Sequence, residues 1–304
     1  MNPSPIRILK WLRWPNLVIV VLTLAFIRYG LIAPALHREG LFLSMDTLSF
    51  VLLSLLTVLI TFAGYVINDI CDQETDARNK PQKRAIGVWM TESKARAIYF
   101  VLILIGALLT VYLGWKEEKL QWIWIYPLAV YLLWLYSVNL KGSVFWGNLL
   151  VSLLCAAVAL LIPFAEKEAL LMLGHGRQLM YTLYFYAAFA GISNLLREVI
   201  KDAEDREGDA ESNLKTLAVV YGLETSKKVA LGIGFLLLLV LILFVGFGVD
   251  QWQKEAGFAL LTLPFLASIL LGLFKKAGNI SWKALSQMAK ILMLGGLLGL
   301  LFLL

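Results

Sequence analysis

Nine runs of apolar residues, each roughly 18–24 residues long, follow one another along this chain, and polar residues gather between them. They run approximately Pro15–Leu36, Thr47–Ile70, Arg96–Leu113, Gln121–Val138, Val144–Pro163, Leu179–Leu196, Val229–Val249, Gly257–Phe274 and Trp282–Leu304. A helix crossing a hydrocarbon core of about 30 Å needs about 20 such residues. Backbone polar groups in lipid must be satisfied within the helix itself. The pattern predicts an all-α membrane protein with nine transmembrane helices around a central cavity. No linker or low-complexity tract interrupts the series, so a single integral-membrane domain over residues 1–304 is expected. The longest polar segments, Cys71–Ala95 and Arg197–Lys228, follow the second and sixth runs and are read as cap loops over a site.

Composition agrees with the pattern. Of 304 residues, 60% are hydrophobic and only 16% charged, against about 25% charged in soluble domains. The 27 Lys and Arg residues are unevenly placed. Six (Arg38, Lys116, Lys119, Lys167, Arg177 and Lys254) fall on one side of the predicted membrane, two (Arg28 and Lys290) fall inside runs, and the remaining 19 fall on the other side. The positive-inside rule puts the N-terminus and the 19 in the cytoplasm, and the C-terminus on the outer side of the cell membrane. Basic residues before Leu17–Ile27 also suit a signal peptide, but the run is long and Arg28 interrupts it, so retention as the first span is expected. The net charge of +6 reads as this topology plus attraction to anionic headgroups, with no nucleic-acid partner and no obligate protein partner. Arg28 is expected to snorkel to the outer interface. Lys290, two turns into the last run near Gln287, is a candidate for facing the cavity.

Two acidic clusters change the picture from architecture to chemistry. The first reads Asn68-Asp69-x-x-Asp72-x-x-x-Asp76 and the second Asp202-x-x-Asp205-x-x-x-Asp209. Each Asp of the second lies 133 positions after its counterpart, which suggests two related halves, roughly 1–140 and 141–304. An even number of spans separates them, so the repeat is expected to be parallel. On a helix, positions i, i+3 and i+7 share one face. Six carboxylates in so apolar a protein are tolerable at the mouth of a wet cavity with cations between them. Oxygen ligands without His or Cys suit Mg²⁺ rather than zinc, and Mg²⁺ commonly joins carboxylates to substrate phosphates. Cys71, Cys155, His37 and His175 have no ligand-like spacing. Arg78, Lys80, Lys83 and Arg84 follow the first cluster, Arg197 and Lys201 precede the second, and Tyr136, Ser137 and Lys141 end the fourth run. These are candidates for holding a diphosphate.

The first cluster, followed by Asn79-Lys80-Pro81 and Arg84, resembles the first signature of UbiA-type intramembrane prenyltransferases, and the second cluster resembles their second signature. Tyr136-Ser137-x-x-x-Lys141 and Arg13-Trp14-Pro15-Asn16 are similar to further family segments. The resemblance implies Mg²⁺-dependent transfer of a prenyl group from a prenyl diphosphate to a lipophilic acceptor, within membrane lipid. It implies two Mg²⁺ ions, with Asn68, Asp69, Asp72 and Asp76 serving one and Asp202, Asp205 and Asp209 the other. Among these, Asp72, Asp76, Asp205 and Asp209 are the catalytic candidates. Arg84, Tyr136, Ser137 and Lys141 would contact the diphosphate, with Lys201 and Arg197 added by position and Asn16 as a further candidate. Aromatic rings such as Tyr65, Trp134 and Phe189 are available to an allylic cation. The stretch Arg197–Asp209 most resembles members that alkylate geranylgeranylglyceryl phosphate in ether-lipid synthesis, with an aromatic quinone precursor as the alternative acceptor.

Two other classes fit the pattern less well. Phosphatidyl-alcohol phosphotransferases use one compact acidic signature, whereas here two lie 133 positions apart. A cation transporter needs a midplane site and a continuing route, whereas these acids lie at run ends on one predicted side.

Overall fold

The structure, a computed structural model, describes residues 4–79, 84–174, 176–247 and 252–303. Among the described residues there is no β-strand. Nine helices among the described residues are long and apolar enough to cross a membrane: α1 (Trp14–Arg38), α2 (Thr47–Cys71), α3 (Glu92–Lys116), α4 (Leu120–Leu140), α5 (Trp146–Ala165), α6 (Gly176–Glu204), α7 (Gly222–Gly246), α8 (Gln253–Leu273) and α9 (Trp282–Phe302). Every predicted run is a helix, but several helices outrun their apolar stretch. α6 continues eight residues past Leu196, and α7 starts seven before Val229. Backbone hydrogen bonding carries a helix into the polar interface, where side-chain hydropathy no longer marks it. The segments read as loops are therefore partly helical, at Gln73–Asn79, Arg206–Glu211 and Leu217–Val220.

The chain gathers into two compact units, one of Met1–Leu22 and Met45–Lys141, the other of Thr23–Ser44 and Gly142–Leu304. In the first unit α2 packs along α3, and α4 packs on both. Phe62, Val66 and Ile70 of α2 bury against Ala85, Ile86, Met90 and Ala95. Trp11, at the end of a short helix Pro5–Trp11, sets its ring edge-on to Phe62 and Trp89, which docks the N-terminal segment beside the last turns of α2. At the other end of α2, Asp46 caps the helix by accepting from the Ser49 amide at 2.7 Å. The Lys116 ammonium, 2.7–2.8 Å away, holds that carboxyl down to about 2. The contact is at full strength above the ordinary carboxylate value of 3.8 and is lost as pH falls through about 2.

In the second unit α6 is central, packing on α5, α7 and α9, while α8 packs on α7 and α9. Phe185 and Phe189 of α6, Phe244 of α7 and Phe258 of α8 form one buried aromatic cluster. α9 approaches it with Gly296 and Gly299, and meets the α8 backbone at Leu261 with Gly295, as small residues allow between membrane helices. A Cβ at Gly296 would lie 2.0 Å from Phe189 Cε1. Gly296→Ala is therefore expected to destabilise the protein by about 1–3 kcal/mol through overpacking. A thermal melt in detergent reads the effect, and an unchanged midpoint contradicts the packing described.

Arg28 departs from expectation. It does not snorkel; its side chain is 1% exposed and its Nη1 donates to Glu166 Oε1 at 2.7 Å, with Glu166 fully buried. α1 widens into a π-helix over Phe26–Ile32, a distortion common where a helix carries a special side chain. The amide of Ser44 donates to the other Glu166 oxygen at 2.6 Å, and Ser44 Oγ accepts from the Ala169 amide at 3.2 Å. An acid from the end of α5 satisfies the cation internally, so it has no need of the interface.

Candidate active site

Both acidic motifs cross the end of a helix. Asn68 and Asp69 lie in the last turn of α2, Asp72 ends it with φ −90° and ψ 8°, and Asp76 lies on Gln73–Asn79. Asp202 lies near the end of α6, Asp205 follows with φ −90° and ψ 5°, and Asp209 lies on Arg206–Glu211. The expected continuous helical face is thus corrected: the chain bends at the middle aspartate of each motif. Both middle residues end their helix in the conformation that Glu117, Glu166 and Ser212 also adopt at helix ends. Hydrogen bonds four residues apart continue across each bend, from the Asp76 amide to Asp72 O (2.8 Å) and from the Asp209 amide to Asp205 O (3.0 Å). Asp suits such a position because its short polar side chain competes with helix continuation.

In the first unit Asp72 is 8% exposed, accepts from Asn68 Nδ2 at 2.6 Å and is ion-paired with Lys141. Lys141 is delivered by a π-helical turn over Tyr136–Leu140, closed by its own amide on Tyr136 O at 2.8 Å. Ser137 is buried and donates to Leu133 O, while Tyr136 is half-buried on the same turn. Asp69 is held at both oxygens by the N-terminal segment: Trp11 Nε1 donates to Oδ2 at 3.0 Å and Arg13 Nη2 to Oδ1 at 2.7 Å. Arg13 also lies over the Tyr65 ring, and Asn16 Nδ2 donates to the Tyr65 hydroxyl at 3.2 Å. The Arg13 φ of +50° is strained for a side-chain-bearing residue, and such strain tends to gather at functional sites. Asp69, Gln73, Asp76, Arg84, Ala85 and Ile86 line a small open cleft. Arg84 Nε is buried there with no hydrogen-bond partner among the described residues, as suits a group awaiting an anion.

In the second unit Asp202 is 9% exposed and accepts from Asn148 Nδ2 at 2.7 Å. Lys201 pairs with Asp205 at 3.2 Å, and Arg197 pairs with Glu198. Lys290 is exposed on α9. Phe189 belongs to the packed aromatic cluster, whereas Tyr65 stands one turn before Asp69. Lys80, Pro81, Lys83 and His175 lie outside the described residues, as do the side chains of Arg78 and Asn79. Sequence reasoning missed Trp11 and Asn148. Trp11 precedes the first apolar run and Asn148 is a lone polar residue inside the fifth, with no spacing to mark either; the short basic helix ending at Trp11 is the available sign.

The donor set fits a hard divalent ion: carboxylates and one carboxamide, with no thiolate or imidazole. No three His, Cys, Asp or Glu side chains converge as a ready-made cage among the described residues. Mg²⁺ does not require one, because it takes one or two carboxylates and completes its shell with water and phosphate.

A solved structure of digeranylgeranylglyceryl phosphate synthase shares the fold, with a TM-score of 0.66 over 97% of this chain and 98% of that one, at 22% identity. The protein is thus a multi-pass membrane protein with the fold of an intramembrane prenyltransferase. The sequence profile of the UbiA prenyltransferase family matches residues 17–292, and the chain belongs to that family. It is a prenyltransferase, of a family that generally uses divalent metal ions. The digeranylgeranylglyceryl phosphate synthase of Saccharolobus solfataricus is 33% identical over 74% of each chain. That of Methanopyrus kandleri is 31% identical over 83% of this chain and 84% of its own. Membership sets aside the phosphotransferase and transporter readings.

Proposed function

We propose that this enzyme transfers a prenyl group from a prenyl diphosphate to the free hydroxyl of a prenylglyceryl phosphate, forming an ether lipid. The relatives at 31–33% identity, all named for digeranylgeranylglyceryl phosphate synthesis, support the acceptor. The observation that carries the chemistry is the repeated aspartate motif, with Lys141 paired to Asp72 and Lys201 to Asp205. In this reading the two motifs act on one diphosphate, through two Mg²⁺ ions, at the cytoplasmic face of the cell membrane. The predominance of Lys and Arg on the motif side supports that orientation.

The metal, when bound, neutralises charge on the departing diphosphate. The chain supplies the rest. Asp72, Asp76, Asp205 and Asp209 carry the negative charge that attracts the metal, with Asn68, Asp69 and Asp202 completing the two ligand groups. Arg84 and Lys141 meet phosphate oxygens, assisted by Tyr136, Ser137, Lys201 and Arg197. The prenyl C1–O bond breaks with its electron pair on the diphosphate. The acceptor hydroxyl oxygen then bonds to C1 and loses its proton to water. The rest of the prenyl chain lies in lipid-like surroundings, where each methylene contributes about 0.8 kcal/mol.

The test is purified enzyme with labelled geranylgeranyl diphosphate and two acceptors, geranylgeranylglyceryl phosphate and 4-hydroxybenzoate. Product with the glyceryl phosphate, abolished by EDTA and restored by Mg²⁺, is expected. Alkylation of the aromatic acid alone would transfer the enzyme to the quinone branch.

A further inference from the structure

The second unit contains a chain of buried polar side chains that no motif spacing announced. Asn148, in the first turn of α5, donates through Nδ2 to Asp202 Oδ2 at 2.7 Å. Ser152, one turn on, donates to the Asn148 carbonyl at 2.6 Å, and Asn194 of α6 donates through Nδ2 to Ser152 Oγ at 3.3 Å. All four residues are less than one-tenth exposed. Membrane helices bury polar groups at a cost, and where they do so the groups are functional candidates. The two helices approach closely at Gly191, where a Cβ would stand 3.2 Å from Ser152 O, and this brings Asn194 within reach of Ser152.

We infer that Asn148 is a positioning residue for prenyl transfer: it fixes the rotamer of Asp202 by occupying one carboxylate oxygen, leaving Oδ1 for the metal. An Asp side chain has two soft torsions, and one hydrogen bond from a buried donor on a neighbouring helix removes that freedom. The Ser152 and Asn194 contacts tie the donor's own backbone to α6, so donor and acceptor move together. Outer partners of this kind typically change metal affinity 10- to 100-fold when removed. The first motif has a comparable arrangement, in which Asn68 Nδ2 occupies Asp72 Oδ2. There the donor is part of the motif; at Asp202 the chain recruits it from α5. This inference rests on the reading of Asp202 as a metal ligand.

The test measures Mn²⁺ binding by electron paramagnetic resonance on the full-length protein in nanodiscs, with geranylgeranyl thiolodiphosphate as an unreactive ligand. Asn148→Leu keeps the branched shape and loses the donor. It is expected to weaken Mn²⁺ binding 10- to 100-fold, to raise the Mg²⁺ concentration for half-maximal turnover in parallel, and to leave the thermal midpoint near wild type. In an Asp202→Ala background Asn148→Leu should cause no further loss. Asn148→Ala, the less crowding change, is read in the same way should the leucine variant fail to fold. Wild-type Mn²⁺ affinity in both Asn148 variants, with Asp202→Ala impaired, overturns the role of Asn148 alone. An equal loss from Asn148→Leu with and without Asp202 also overturns it, because the effect would not pass through that carboxylate. Wild-type affinity and turnover in Asp202→Ala overturn the underlying reading of the second motif.

Discussion

Asp72→Ala and Asp205→Ala are each expected to lower prenyl transfer by about 100- to 1000-fold, the loss typical when a preorganised electrostatic contact to a developing anion is removed. Each residue stands at the bend of its motif, where the backbone turns at φ −90°. Each is also the acid that a lysine already engages, Lys141 for Asp72 and Lys201 for Asp205. Removing the acid takes away a metal ligand and leaves that lysine's charge uncompensated, so both consequences work against assembly of the site. The loss should appear in the turnover rate at saturating Mg²⁺. Full activity in either variant contradicts the assignment. Lys141→Ala should act differently, raising KM for the prenyl diphosphate more than it lowers kcat.

Arg28→Ala or Glu166→Ala should destabilise the protein by about 3–5 kcal/mol, because each leaves its partner charged, buried and unpaired. The pair is sealed at 1% and 0% exposure, so water cannot compensate for the missing group. Replacing both together, as Arg28→Met with Glu166→Leu, should recover most of the loss, since well-packed apolar side chains often match a buried ion pair. Denaturation midpoints in detergent distinguish the cases. Equal damage from the double and single variants would show that Glu166 matters through the Ser44 amide rather than through Arg28.

The helices were legible because lipid imposes a single rule, a long apolar run, and all nine runs obey it. Their ends were less so. α6 continues as an amphipathic helix through Arg197–Glu204, where hydropathy gives no signal but backbone hydrogen bonding persists. The aspartates and the Tyr136–Lys141 segment were legible because their residue types and spacing carry chemistry. The bends at Asp72 and Asp205 were not, since i, i+3 and i+7 fit an unbroken helix equally well. Partners distant in sequence were invisible for another reason. Trp11 meets Asp69, Glu166 meets Arg28 and Asn148 meets Asp202 across 58, 138 and 54 positions. Only packing brings such residues together. Arg28 shows the consequence: with no visible acid nearby, snorkelling was the natural expectation, and an acid 138 positions away reversed it.

The proposal that two separate aspartate rows grip the same pyrophosphate is tested most directly by stoichiometry. Titration of wild-type enzyme with Mn²⁺ and geranylgeranyl thiolodiphosphate should give two metal ions bound with each analogue. Asp72→Ala and Asp205→Ala should each hold the analogue far more weakly and retain one ion. Undiminished analogue binding with both ions present in either variant would contradict the account.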